Sequence, residues 1–240
     1  MNKFVIVAIT ATSLCGAPAL AADVAVKAPP PPAAVPYSWT GFYVGGSLGA
    51  AVAMGTVTDL SGSLYDPGSK GHDVGLGAIV GANIGYNFQS GNLVYGVEAD
   101  ISYNTARSDV SIYNVTPDDH LRSTSNGLST VRARVGYSFD KALLFVTGGL
   151  ALSNINVSAT GNFGPTDFGT AGVSGWQAGW TVGAGLEYAI TQNWTVRVEG
   201  DYVDFGSRTA WTTSSVTSTP MGFQFHDQEL IARTGVNYKF

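Results

Sequence analysis

The chain has few of the residues from which most functional sites are built. Its 240 residues include one cysteine and three histidines, and only 12% are charged, against about 25% in an ordinary soluble domain. The one cysteine, Cys15, lies in an N-terminal apolar stretch, so the rest of the chain has no disulfide or thiol chemistry. The net charge of -5 opposes nucleic-acid binding, which requires a basic surface. We therefore expect no nucleic-acid partner.

Long apolar runs and nucleophile motifs are also missing. After the N-terminus the most apolar stretch, residues 74–84, is interrupted by Gly75, Gly77 and Gly81, which leaves it too short for a transmembrane helix. The same glycines are spaced one residue too widely for a dinucleotide-binding loop, and no Gly-x-Ser-x-Gly motif occurs. The sequence predicts a protein that is not an enzyme and needs no cofactor.

The first 38 residues predict two segments that precede the folded domain. Residues 1–21 contain Lys3, an apolar run and a final Ala19-Leu-Ala21, the pattern of a cleaved secretory signal. Residues 22–38 include five prolines between positions 28 and 36, which favour an extended, solvated linker. The remainder, residues 39–240, is predicted to be one all-β domain.

Eight stretches of alternating apolar and polar residues follow the linker. They are residues 39–54, 73–89, 93–104, 126–139, 142–153, 175–190, 194–204 and 228–240. The gaps between them alternate long and short, and the short ones are 90–92, 140–141 and 191–193. An even number of strands with short turns at one end and long loops at the other is typical of bacterial outer-membrane barrels. We predict an eight-stranded antiparallel up-and-down transmembrane β-barrel, with the short turns in the periplasm and the long loops outside the cell.

Each strand can be divided into an apolar face and a polar face, because a step of one residue reverses the side chain. We expect the polar faces to line the lumen. Their charged residues are Glu98, Asp100, Glu187, Glu199 and Asp201, with Arg132, Arg134, Arg197, Arg233 and Lys239. Eight strands leave a lumen that side chains can fill, so paired charges should close most of it; a narrow pore for ions or small solutes is the alternative. Residues 142–153 have too little polarity for their faces to be assigned.

Several segments resemble the porin-opacity family of small outer-membrane β-barrels, especially its alphaproteobacterial surface-antigen branch. They are Trp39-Thr-Gly-Phe-Tyr-Val-Gly-Gly46, Thr147-Gly-Gly-Leu-Ala151, Gly179-Trp-Thr-Val-Gly-Ala-Gly-Leu-Glu-Tyr188 and Arg233-Thr-Gly-Val-Asn-Tyr-Lys-Phe240. The resemblance implies an OmpA-like barrel in contact with outer-membrane lipid and lipopolysaccharide, and a structural, adhesive or surface-antigen role. It also implies that Tyr238 and Phe240 form the signal read by the barrel-assembly machinery. The long loops could contact a host or cell-surface partner.

The three histidines leave a further alternative open. His72, His120 and His226 lie in three different long gaps, and each adjoins an aspartate. Imidazole with carboxylate suits a divalent metal, and imidazole alone suits haem iron. A haemin- or metal-binding surface receptor is therefore one interpretation, and solvated loop residues are the other. Four cations in or near the same gaps could bind lipopolysaccharide phosphates; they are Lys70, Arg107, Arg122 and Arg208.

Overall fold

The computed structural model describes residues 36–62, 67–111, 120–163, 166–213 and 220–240. The predicted signal and residues 22–35 of the predicted linker lie outside these ranges. The described chain forms nine strands: β1 Gly41–Asp59, β2 Lys70–Ser90, β3 Leu93–Asn104, β4 Arg107–Ser111, β5 His120–Phe139, β6 Ala142–Phe163, β7 Thr166–Ala189, β8 Trp194–Thr213 and β9 Pro220–Lys239. Within these ranges, no helix is long and apolar enough to cross a membrane.

The strands close into one antiparallel barrel. Consecutive strands pair with each other except β3 and β4, β1 also pairs with β9, and both β3 and β4 pair with β5. Since β4 continues β3 along the same neighbour, the barrel has eight strand positions, and the predicted fold is confirmed. The register partners of Val44, followed once around the barrel, lead back to Met54, ten residues farther along β1. Such a stagger requires strands that are tilted against the barrel axis.

The third strand position is interrupted at Thr105 and Ala106, where the chain bends into the lumen. Ala106 approaches β2 so closely that a Cβ atom on Gly77 would lie 2.1 Å from the Ala106 nitrogen. The Thr105 side chain replaces part of the ladder, since its Oγ1 accepts from Ala78 N at 2.9 Å and donates to Ala78 O at 3.1 Å. Gly77 is therefore required for this inward step.

The two ends of the barrel differ in how closely the strands match their predicted bounds. At the short-turn end every boundary lies within two residues of the prediction, and Asp140 and Gly91 form the turns with positive φ values of 59° and 61°. At the long-loop end the strands continue for up to ten residues beyond the predicted limits, as in β6, which extends to Phe163. Most of the predicted long gaps 154–174 and 205–227 is therefore strand, and the strands extend into the other two long gaps as well.

Each strand presents an apolar side outward and a mostly polar side inward through the central part of the barrel. On β5, Val131 is 62% exposed while its neighbour Arg132 is 1% exposed. The faces of β6, which the sequence left unassigned, are now defined: Leu143 and Phe145 point inward, while Leu144 and Val146 are exposed. Exposed aromatic residues gather near the short turns, among them Phe42, Phe88, Tyr95, Tyr137, Phe139, Tyr188, Trp194 and Phe240.

Candidate functional site

The middle of the lumen is filled by charged side chains that bind one another. Arg132, on β5, contacts four carboxylates from two other strands: Glu98 at 2.5 Å, Asp201 at 2.6 Å, Glu199 at 2.7 Å and Asp100 at 3.4 Å. All five side chains are almost completely shielded from solvent. One guanidinium group thus joins β3 and β8 across the barrel interior.

Two more arginines complete what we call the central charge layer. Arg197 contacts Glu98 at 2.5 Å and Glu199 at 2.9 Å, and Arg233 contacts Asp201 at 3.0 Å and Asp100 at 3.4 Å. The layer comprises Glu98, Asp100, Arg132, Arg197, Glu199, Asp201 and Arg233. Each of its carboxylates contacts at least two guanidinium groups. Removing one arginine would therefore leave several carboxylates short of a counter-charge.

Arg134 and Glu187 form a separate pair nearer the short-turn end. Arg134 Nη2 donates to Glu187 Oε2, and the Arg134 guanidinium carbon lies 3.8 Å from the centroid of the Phe145 ring. Glu187 also accepts from Thr195 Oγ1 at 2.5 Å and from Asn237 Nδ2 at 2.9 Å. This carboxylate is therefore held by one cation and two neutral donors, whereas the central carboxylates share several cations.

An apolar cluster lies across the lumen on the long-loop side of the charges. It contains Ala51, Ile79, Ala106, Leu128, Ala151, Val203, Phe205 and Ile231. These inward residues come from seven of the eight strand positions, and Gly179 on β7 leaves room for the backbone at Phe205. Phe205 reaches the interior through a bulge in β8, where Gly206 has a φ of 68°. We call this the long-loop cluster.

A second apolar cluster closes the short-turn end and includes residues that precede β1. Its members are Tyr37, Trp39, Val94, Leu143, Phe145 and Ala189. Trp39 is 2% exposed and packs edge-on against Tyr37, with ring centroids 4.9 Å apart. The chain therefore turns back under the barrel before it enters β1. We call this the short-turn cluster.

Hydrogen bonds fix Trp39 of this cluster to two distant turns. Trp39 Nε1 donates to Asp140 O at 3.1 Å, and Trp39 N donates to Gln89 Oε1 at 2.7 Å. Burial, and then the Glu187 carboxylate, raise the pKa of Tyr37 to about 12. Tyr37 is therefore neutral at physiological pH, as its apolar position requires. Tyr37 and Ser38, which the sequence places in the linker, contact the barrel.

The structure brings together nine of the ten charged residues that the sequence assigns to the lumen, and places Lys239 elsewhere. Lys239 lies at the short-turn end, where its Nζ donates to Ser38 O and stands 4.3 Å from the centroid of the Tyr37 ring. Tyr43 and Glu229 are among the interior residues that the sequence analysis missed. Tyr43 donates its hydroxyl hydrogen to Glu98 Oε2 at 2.8 Å, and Glu229 accepts from Asn104 at 3.1 Å. The alternation of side chains along each strand could have identified both, because Tyr43 shares a face with Gly45 on β1 and Glu229 shares a face with Arg233 on β9.

The histidines lie near the long-loop end, and the two whose side chains are described point outward. His72 Nδ1 is 3.1 Å from Thr56 Oγ1, and His226 Nδ1 is 2.9 Å from Ser207 Oγ. The side chain of His120 lies outside the described residues. Among those described, no group of three or more histidine, cysteine, aspartate or glutamate residues is arranged to hold a metal ion. The metal-site interpretation therefore receives no geometric support from His72 and His226.

Of the four cations predicted to bind lipopolysaccharide, two have described side chains and two do not. Lys70 is exposed at the start of β2, and Arg208 is paired with Asp227 at 3.4 Å. The side chains of Arg107 and Arg122 lie outside the described residues.

Tyr238 and Phe240 pack edge-on with ring centroids 5.1 Å apart, and Phe240 N donates to Phe42 O at 3.0 Å. Their role as an assembly signal stays a prediction.

Comparison with known sequences shows extensive similarity to outer-membrane proteins. Residues 7–240 match the family model described as outer membrane protein beta-barrel domain. The chain is 34% identical over 236 residues to a 31 kDa outer-membrane immunogenic protein of Brucella melitensis, covering 92% of this chain and 93% of that protein. It is 39% identical over 185 residues to a 22 kDa outer membrane protein of Rhizobium leguminosarum bv. viciae, covering 77% and 71% of the two chains.

Solved structures share the fold at low sequence identity. The outer membrane protease OmpT of Escherichia coli aligns with a TM-score of 0.51 and 11% identity, covering 86% of this chain and 99% of that one. The outer membrane protein OprG of Pseudomonas aeruginosa aligns with a TM-score of 0.50 and 12% identity, covering 84% and 96%. At these identities the similarity concerns the barrel architecture alone.

Proposed function

Because the chain belongs to the family of outer membrane protein β-barrel domains and is located in the outer membrane, we propose that it is a non-enzymatic scaffold with a sealed lumen. Its role in this proposal is structural and surface-interacting. The barrel anchors the protein in lipid and carries the long-loop ends of its strands above the membrane. The relatives named outer-membrane immunogenic proteins support surface exposure of these ends.

The observation that carries this proposal is the stack of three layers of side chains inside the barrel. The central charge layer is flanked by the long-loop cluster on one side and by the short-turn cluster on the other. An ion crossing the lumen would have to pass two apolar layers and displace buried ion pairs, and desolvating an ion costs several kcal/mol at least. The filled interior therefore favours a scaffold over a porin.

The narrow-porin alternative makes a distinct prediction about ion selectivity. The described buried residues of the barrel include seven carboxylates, from Asp59, Glu98, Asp100, Glu187, Glu199, Asp201 and Glu229, and four guanidinium groups, from Arg132, Arg134, Arg197 and Arg233. The interior is thus acidic on balance. If a passage opens, it should favour cations over anions.

Planar-bilayer recording of the refolded protein tests the proposal. We expect no sustained porin-like conductance from the parent. Replacing Trp39 with alanine should produce brief, cation-selective openings because it removes the largest member of the short-turn cluster. Phe42→Ala, which shortens an exposed outward aromatic residue on the same strand end, is the matched control and should stay silent. Steady conductance in the parent would show that the lumen is open and would refute the sealed-scaffold proposal.

A further inference from the structure

The central charge layer contains more carboxylates than guanidinium groups. Four of its members are carboxylates and three are arginines, and an arginine keeps its charge in a protein. Arg134 is paired with Glu187 outside the layer. Glu229, the register partner of Val203 in the long-loop cluster, adds a further carboxylate. A fully ionised layer would therefore carry an uncompensated negative charge between two apolar clusters, which is strongly destabilising.

Two of the four carboxylates are well supplied with hydrogen-bond donors. Glu98 Oε2 accepts from the Tyr43 hydroxyl at 2.8 Å, in addition to its arginine contacts. Asp100 accepts from the hydroxyl groups of Thr130 and Ser102. Donors of this kind stabilise the ionised form of a carboxyl group. Glu98 and Asp100 are therefore suited to carry full negative charges.

The other two carboxylates, on β8, are not satisfied in this way. Glu199 and Asp201 are two residues apart on the strand, so they point to the same face. Arg132 Nη1 lies 2.7 Å from Glu199 Oε1 and 2.6 Å from Asp201 Oδ1. The remaining oxygens, Glu199 Oε2 and Asp201 Oδ2, are buried and accept no hydrogen bond from the described part of the chain.

These two oxygens converge on one nitrogen atom. Arg233 Nε lies 3.5 Å from Glu199 Oε2 and 3.0 Å from Asp201 Oδ2, but donates a hydrogen bond to neither. Arg197 Nη2 lies 2.9 Å from Glu199 Oε2, also without hydrogen-bond geometry. Two neighbouring carboxylates that compete for the same cations resist ionising together. One hydrogen between them would provide the missing donor and remove the excess charge.

A metal cation fits this position poorly. The guanidinium groups of Arg132 and Arg233 already contact both carboxylates, so a further cation would be repelled. Asp201 Oδ1 also lies against the β7 backbone, since a Cβ atom on Gly183 would be 2.2 Å from it. A water molecule would provide a donor and leave the excess charge in place. A proton needs no space beyond that of the carboxyl group itself.

The surrounding inner surface holds the groups that set this charge balance. The titratable and charged side chains on it are Tyr43 on β1, Glu98 and Asp100 on β3, Arg132 and Arg134 on β5, Glu187 on β7, Arg197 on β8, and Glu229 and Arg233 on β9. Every cation among them is an arginine. None of these cations can therefore take up or release a proton in exchange with the pair.

We propose that Glu199 and Asp201 form a proton-binding site, with one proton held between Glu199 Oε2 and Asp201 Oδ2 at neutral pH. One carboxyl group then donates to the other, and the central charge layer becomes neutral. The site goes beyond the scaffold function and does not depend on whether the lumen conducts. It also makes the barrel sensitive to pH, because a folded chain that holds a proton which the unfolded chain releases loses stability as the pH rises.

Infrared difference spectroscopy of the refolded protein in lipid vesicles at neutral pH tests the proposal directly. A protonated carboxyl group has a C=O stretch that is separate from the carboxylate bands and shifts in D2O. The spectrum of the parent minus that of Asp201→Asn should show this acid band. Glu187→Gln is the matched control, because it also changes a buried acid to its amide but removes an ionised carboxylate. Its difference spectrum should show carboxylate bands instead.

Urea unfolding of the same variants provides a second measurement. Asp201→Asn should unfold at a urea concentration equal to or above that of the parent, because the amide can donate to Glu199 Oε2 in place of the proton. Glu187→Gln should unfold at a lower concentration, because Arg134 loses its counter-charge. Between about pH 5.5 and 7.5, above the range in which ordinary carboxyl groups titrate, the parent's midpoint should fall more steeply than that of Asp201→Asn.

Several outcomes would overturn the proposal. One is a difference spectrum for Asp201→Asn that shows only carboxylate bands, and another is a loss of stability as large as that of Glu187→Gln. Stabilisation of the parent by sodium that Asp201→Asn lacks, without an acid band, would assign the site to a metal cation instead. Glu199→Gln is a second route to the same test, and it should also remove the acid band. If neither variant refolds, the excess carboxylate is indispensable and the proposal is wrong.

Discussion

The inner and outer faces of the same strands place opposite demands on their residues. On β5, Val131 meets lipid and Arg132 meets four carboxylates, although the two residues are adjacent. An outward side chain needs only to be apolar, because lipid chains fit any apolar shape. An inward side chain needs specific partners, because water is largely excluded. Inward and outward substitutions one residue apart should therefore differ sharply in their effect on assembly or stability.

The largest effect should come from the C-terminus, where the outward residue carries the proposed assembly signal. Phe240 is 71% exposed and packs against Tyr238, while Lys239 points to the short-turn end. Deleting Phe240 should lower the amount of inserted protein severalfold without affecting export. The inserted fraction can be measured by heat-modifiable migration of isolated outer membranes. Lys239→Ala is the inward control; if it reduces insertion as much as the deletion, the signal does not reside in the outward aromatic residues.

Within the barrel wall the largest change in stability should follow Arg132→Ala. In the variant, Glu98, Glu199 and Asp201 surround a position that no longer holds a positive charge. Breaking a buried ion pair costs about 3–5 kcal/mol. Val131→Ala shortens a side chain that meets only lipid and should cost less than about 1 kcal/mol. Urea unfolding in lipid vesicles measures both. Equal losses in the two variants would show that the charged interior is hydrated and tolerant.

The alternation of the sequence was sufficient to predict the barrel, because lipid and lumen impose opposite polarity on most strands. It failed for β6, whose inward Leu143 and Phe145 belong to the short-turn cluster, so that both faces of the strand are apolar near the short-turn end. It also ended the strands too early at the long-loop end. There the outward residues become polar, as at Thr56 and His72, and the alternation disappears although the ladder continues.

Contacts between distant residues account for what could not be predicted about the lumen. The sequence placed Arg132 and Glu98 on polar faces, but nothing in the strand phase indicates that one arginine contacts four carboxylates. Tyr37 follows a proline-rich stretch, and its cluster depends on residues far along the chain, such as Phe145. Lys239 has the phase of a lumen residue, yet it lies at the end of its strand, where its side chain reaches Ser38 instead.

Two adjacent glycines on β6 provide a smaller test of the same contrast. A Cβ atom on inward Gly149 would lie 2.0 Å from Val131 O and 2.7 Å from Arg132 Cα, whereas on outward Gly148 its nearest neighbour, Thr181 O, would be 3.7 Å away. Gly149→Ala should destabilise the barrel by about 1–3 kcal/mol, the range for overpacked interiors. Gly148→Ala should be within about 0.5 kcal/mol of the parent. If both variants unfold at the same urea concentration, the interior is looser than these distances indicate.

The smallest effect should come from Tyr37→Phe, the inward change that removes only a hydroxyl group. This hydroxyl is buried and has no hydrogen-bond partner among the described residues, so its loss should change stability by less than about 0.5 kcal/mol at neutral pH, because no bond is broken.

Alkaline pH should separate the stability of the parent from that of the Tyr37→Phe variant. The pKa of Tyr37 is raised from 10.0 to about 12, so the unfolded chain loses this proton first, and the parent becomes less stable as the pH rises from 10 towards 12. The phenylalanine variant lacks this group and should lose less stability over that interval. Parallel decreases in the urea midpoints of the two proteins would show that Tyr37 is not held in the apolar cluster.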